Sequence, residues 1–230
     1  MSGSAALAPE IHKKWETLTG QKILERYGMT EVGMALSNKI DGERRPGAVG
    51  EPLPNVEIKL EDENGKEITK EGEIGQILIK GPQVFKEYQN LIEKTKESFK
   101  DDGFFITGDL AKKDENGYFT IVGRDKDMII SGGLNVYPKE IEDVINQIPD
   151  ISESAVIGIN HHDFGEAVVA LVISDNKKLE ECYVLDQLKD KIAKYKRPKK
   201  IIFLEELPRN SMGKVQKNIL REKYSYLFKG

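Results

Sequence analysis

The segment 123–138, Gly-Arg-Asp-Lys-Asp-Met-Ile-Ile-Ser-Gly-Gly-Leu-Asn-Val-Tyr-Pro, constrains this chain more than any other stretch. The charged run from Arg124 to Asp127 resists burial. A short apolar run follows, and then two glycines, whose backbone enters conformations closed to other residues. The pattern on either side differs. From about residue 28 to 123, alternating strands and tight-turn signals dominate. After 127, strands alternate with helices. The segment therefore reads as a junction between two folded units that also meets a ligand.

Before the junction, Pro9–Thr19 is predicted as a short helix opened by its proline. Residues 23–27 are a candidate strand that ends at the loop Gly28-Met29-Thr30-Glu31. Residues 56–60 alternate apolar and charged side chains, the pattern of a half-buried strand. Asn64-Gly65 and Asn116-Gly117 are hairpin turn signals, with strands expected at 74–79 and 118–122 and a polar helix at 92–99. After the junction, strands are expected at 128–130, 154–159, 167–173 and 200–204. Helices are expected at 138–148, 179–193 and 215–228. The predicted class is α+β: a β-rich unit over 1–125, then a small α+β unit over 126–230. Trp15 is expected to be a packing residue.

Composition excludes some classes. The formal net charge of −4 gives no general reason to expect nucleic-acid binding. Cys182 is the only cysteine, so neither an intramolecular disulfide nor a cysteine-rich metal site can form. That suits a reducing, cytoplasmic setting. The longest apolar run, 167–173, is too short to span a membrane, and the N-terminus has no signal-peptide pattern.

Three constellations carry chemical potential. Tyr27-Gly28-Met29-Thr30-Glu31 sets a hydroxyl beside a carboxylate, hard oxygen donors of the kind a phosphate-bound magnesium takes, after an aromatic that could stack on a base. It could equally be an ordinary exit from a strand. Ile106-Thr107-Gly108-Asp109 offers a carboxylate that could accept both hydroxyls of a ribose, or a simple turn aspartate. Pro208-Arg209-Asn210-Ser211-Met212-Gly213-Lys214 places a lysine on a glycine-containing loop, where it could meet developing negative charge or stay solvated. His161-His162-Asp163 reads as a structural loop, because adjacent ligands rarely share one ion. The basic stretch 186–200 is either a solvated face or a landing site for ligand phosphates.

Taken together and in this order, these motifs resemble the adenylate-forming superfamily of acyl-CoA synthetases, luciferases and peptide-synthetase adenylation domains. The resemblance runs through essentially the whole chain and is to the C-terminal portion of such an enzyme, which implies a distorted-barrel remnant of a large domain over 1–125 and a mobile small domain over 126–230. The family's phosphate loop ending in Pro-Lys-Gly is not among these residues. The resemblance implies that Gly3, Ser4 and Ala5 line the adenine and acyl pocket, and that Tyr27, Gly28 and Met29 border the nucleotide. It implies that Thr30 contacts phosphate, Glu31 helps hold magnesium, and Asp109 with Arg124 binds the ribose. Lys126 matches the hinge, and Gly132 and Gly133 match the loop toward CoA. Lys214 matches the lysine that bridges carboxylate and ATP phosphate, with Thr30, Glu31 and Lys214 as the catalytic set. The implied activity is carboxylate–CoA ligation with ATP, Mg2+ and CoA. Within the superfamily, residues 25–37 and 208–215 look most like malonyl-CoA synthetases and short-to-medium-chain relatives. An enzyme loading a carrier-protein thiol and a non-catalytic binding domain are the alternatives. The chain alone is expected to be inactive and could form a homodimer through apolar surface.

Overall fold

The computed structural model describes residues 1–5 and 7–228. The chain forms two compact units, Met1–Asp125 and Lys126–Gly230.

The first unit opens with α1 (Pro9–Thr19), which starts at its proline and ends at Gly20 in the left-handed conformation. Strands β1 (Arg26–Met29), β2 (Gly33–Ser37) and β3 (Glu51–Pro52) form one antiparallel sheet in the order β1-β2-β3. Strands β4 (Glu57–Glu61), β5 (Ile74–Lys80), β6 (Phe105–Lys113) and β7 (Phe119–Arg124) form a second antiparallel sheet in chain order, and α2 (Ile92–Glu97) lies between β5 and β6 in sequence. Leu36 of the first sheet and Ile77, Ile79, Phe105 and Phe119 of the second bury their side chains in one shared core. Among the described residues these are open sheets, not a closed barrel.

The second unit holds β8 (Ile129–Ser131), β9 (Leu134–Val136), α3 (Pro138–Ile145), β10 (Ile151–His161), β11 (Gly165–Ser174), α4 (Glu181–Leu188), β12 (Lys200–Leu204) and α5 (Lys217–Lys223). Its sheet runs β10-β11-β8-β9, with β12 pairing parallel to β11. Both faces of β10 and β11 are covered. Val156, Val168, Ala170 and Val172 pack toward Ile141 and Ile145 of α3 and Leu188 of α4. Their neighbours Ile157, Val169 and Leu171 pack toward Leu220 and Tyr224. A strand buried on both sides loses its polar alternation, which accounts for the apolar run at 167–173. Each fully buried isoleucine of α3 contributes about 1.5–3 kcal/mol by leaving water.

Several expectations shift. The strand expected at 23–27 lies at 26–29, so Gly28 and Met29 belong to a strand and only Thr30 to Val32 form the turn. Ile106 to Asp109 are not a turn. They sit inside β6, where Gly108 at φ +73° adds the conformation of a bulge, and the register slips nearby. The helices expected at 179–193 and 215–228 shorten to Glu181–Leu188 and Lys217–Lys223 and give way to turns. Trp15 is half-exposed, at 48%.

Candidate functional site

In the first unit the site is built on the β1–β2 hairpin and the β6–β7 pair. Tyr27 stands where the β1–β2 register slips. Gly28 follows because a Cβ there would lie 2.0 Å from the Gly33 carbonyl oxygen. At the hairpin tip the Val32 N–H donates to Met29 O at 3.2 Å, and the fully buried Val32 side chain anchors the turn. Thr30 is left exposed. The Glu31 backbone is fixed by the Phe85 N–H, which donates to its carbonyl at 2.8 Å. Tyr88 donates its hydroxyl to Glu31 Oε1 at 3.1 Å.

The Tyr27 hydroxyl donates to Asp109 Oδ2 at 2.6 Å. Arg124 Nε lies 3.3 Å from Asp109 Oδ1, and Asp109 pairs with Arg124 across β6–β7. The Asp109 amide donates to Thr107 Oγ1 at 3.1 Å, while the Thr107 hydroxyl donates to Ile77 O at 2.7 Å. Asp109 is 6% exposed. Burial, and then the Asp109 carboxylate, push the Tyr27 phenol far above its ordinary pKa. Tyr27 therefore stays a protonated donor. Ser2 and Gly3 run beside this strand: the Arg26 N–H donates to Ser2 O at 3.1 Å, and a Cβ on Gly3 would sit 3.2 Å from Arg26 Cγ; Ser4 and Ala5 follow as exposed bends. Thr107 stands in the 106–109 constellation without a role of its own, and Tyr88 is outside every sequence candidate; only their neighbours, Asp109 and Glu31, carried a readable signal.

In the second unit, Lys126 is exposed in a 3-10 turn, Asp125–Asp127, and Arg221 of α5 pairs with Asp127 at 2.7 Å. Gly132 and Gly133, at φ +60° and +77°, make the two-residue turn between β8 and β9, a connection that demands positive φ at both positions. Lys214 is half-buried on the turn between Arg209 and Val215, which pair as an antiparallel bridge. Arg209 donates to Gly213 O at 2.7 Å and pairs with both carboxylate oxygens of Glu153 on β10.

Two further sequence candidates have local partners. His161, His162 and Asp163 form the β10–β11 turn, with ligand atoms within 4.8 Å of one another, and His161 Nδ1 accepts the Asp163 N–H. Within 186–200, Lys189, Lys196 and Lys200 pair with Asp186, Glu140 and Glu181. No helix among the described residues is long and apolar enough to cross a membrane.

The family model of the AMP-binding enzyme matches residues 1–89, and that of the AMP-binding enzyme C-terminal domain matches 140–214. The chain belongs to the AMP-binding enzyme family. A malonate–CoA ligase of Arabidopsis thaliana is 45% identical over 96% of this chain and 38% of its own length. The ATP-bound MatB of Rhodopseudomonas palustris matches with TM-score 0.96 at 55% identity, over 99% of this chain and 46% of MatB. Apo MatB from the same organism matches at 0.75 with 56% identity over the same shares. The chain thus spans less than half the length of these relatives.

Proposed function

We propose that the chain is the C-terminal portion of an AMP-forming carboxylate–CoA ligase acting on malonate or a similarly short acid. The observation that carries this is Asp109. It is a buried carboxylate held by Tyr27 and Arg124, and an acidic side chain is the acceptor that ribose hydroxyls take in other nucleotide sites. Tyr27 then lies against the base, and Gly3, Ser4 and Ala5 flank it with Gly28 and Met29.

Thr30 and Glu31 suit magnesium, since both offer hard oxygens and Tyr88 engages only Glu31 Oε1. When bound, the ion offsets charge on the phosphate oxygens. In the first step a carboxylate oxygen of the acid bonds to the α-phosphorus of ATP and the bond to pyrophosphate breaks. The Lys214 ammonium meets the negative charge on the attacking carboxylate and the phosphate oxygens. The second unit then turns about Lys126, withdrawing Lys214 and presenting Gly132-Gly133 to the pantetheine arm of CoA. The CoA sulfur bonds to the carbonyl carbon, AMP leaves, and the thiol proton passes to solvent.

The test joins this chain to the N-terminal portion of R. palustris MatB that it does not span. The graft is expected to form a CoA thioester from malonate, ATP and CoA, while the 230-residue chain alone releases no pyrophosphate. A graft that folds and binds ATP but makes no thioester from malonate or other short acids would overturn the reading, as would pyrophosphate release by the chain alone.

A further inference from the structure

The turn that carries Lys214 occurs three times among the described residues. Asp62-Glu63-Asn64-Gly65-Lys66 connects β4 toward β5, Asp114-Glu115-Asn116-Gly117-Tyr118 connects β6 to β7, and Asn210-Ser211-Met212-Gly213-Lys214 is the third. Each makes the same four hydrogen bonds. The first residue's N–H donates to the carbonyl of the fifth, and the fourth residue's N–H donates to the carbonyl of the first. The first residue's side-chain Oδ1 accepts the N–H groups of the third and the fifth. All twelve bonds fall between 2.8 and 3.0 Å. The fourth residue is always glycine, at φ +76°, +84° and +78°.

The device differs at one atom group. Aspartate supplies the acceptor at 62 and 114, where the turn only joins strands. At 210 the acceptor is a neutral amide. Geometry does not require the change, because the same chain builds the turn twice with a carboxylate. Charge gives a reason. An anion at 210 would sit on the residue whose Oδ1 holds the Lys214 amide. It would compete for the Lys214 ammonium and repel an incoming carboxylate or phosphate. Glu153, which reaches the base of this turn, is already neutralised by Arg209.

We propose that Asn210 is the positioning residue for Lys214: it fixes the lysine's backbone through its side-chain oxygen and does so without adding negative charge beside the reacting anions. This rests on the reading of Lys214 as the adenylation lysine. Two variants separate the two halves of the proposal. Asn210→Ala removes the acceptor, and Asn210→Asp keeps it but adds charge. Amide exchange at Met212 and Lys214 is read by NMR on the 230-residue chain, and malonate-dependent pyrophosphate–ATP exchange is read in the graft. Asn210→Ala is expected to lose amide protection and about tenfold in adenylation rate. Asn210→Asp is expected to keep the protection, lose about tenfold in adenylation, and leave thioester formation from supplied acyl-adenylate unchanged. Protection retained in Asn210→Ala overturns the positioning role. Wild-type adenylation in Asn210→Asp overturns the requirement for neutrality. Lys214→Ala run alongside separates the other failure: if it still adenylates, the role given to Lys214 is wrong, whereas the exchange result stands on its own.

Discussion

At the scale of single residues, the first unit's chemistry turns on one phenol. Tyr27 and Asp109 lie 82 positions apart and meet at 2.6 Å. Each is ambiguous on its own stretch of sequence, because nothing local says what a lone tyrosine or a lone aspartate will face. Burial and the adjacent carboxylate raise the Tyr27 pKa above its ordinary value of 10.0. The sign follows directly. The protonated form is favoured in the folded protein, so the donor to Asp109 persists below and through pH 10 and is lost only as pH rises past the raised value. In the active graft, the Tyr27 contribution to ATP affinity is therefore expected to stay flat from pH 7 to 10. Tyr27→Phe should raise the KM for ATP by about tenfold, the size of one hydrogen bond to a charged group, with the same ratio at both ends of that range. A wild-type-to-variant ratio that collapses near pH 10 would show an ordinary phenol instead.

At the scale of elements, what was legible depended on whether the local pattern had one meaning. The helix expected over 138–148, with Ile141, Val144, Ile145 and Ile148 on one face, opens at Pro138 but ends at Ile145; Ile141 and Ile145 are buried, Val144 is partly buried, and Ile148 is buried in the turn beyond. The strand at 200–204 falls where its apolar run lies. Thr107-Gly108-Asp109 misleads because its residues are turn formers, yet pairing on both edges of β6 absorbs a positive-φ glycine as a bulge. Strand β9 escapes notice because three residues carry no periodicity, and only the tight Gly132-Gly133 turn pairs them with β8. The β1–β2 hairpin likewise depends on a tertiary fact, the close approach of the Gly33 carbonyl to Gly28. Gly28→Ala forces that strand pair apart. It is expected to lower stability by about 3 kcal/mol, the upper range for overpacking, and to disturb Thr30 and Glu31 at the tip. Thermal unfolding measures the first effect, and a variant as stable as wild type would show that the hairpin tolerates a side chain there.

At the scale of the whole molecule, the chain divides between Asp125 and Lys126 into a unit of two open sheets and a unit of one sheet covered on both faces. The change from strand-rich to alternating pattern within 123–138 made the two characters visible in sequence. Barrel closure was not visible, since it depends on which strand edges meet and not on how each strand is patterned. The proposed roles also divide between the units: nucleotide-binding groups in the first, the Lys214 turn and the Gly132-Gly133 turn in the second. Lys214 is proposed to serve adenylation alone, and both half-reactions of the graft, measured with Lys214→Ala, test this most directly. Malonate-dependent pyrophosphate–ATP exchange is expected to fall by about a thousandfold, as when a transition-state donor is removed, while CoA thioester formation from supplied acyl-adenylate keeps its wild-type rate. Equal loss of both half-reactions, or retention of both, would contradict it.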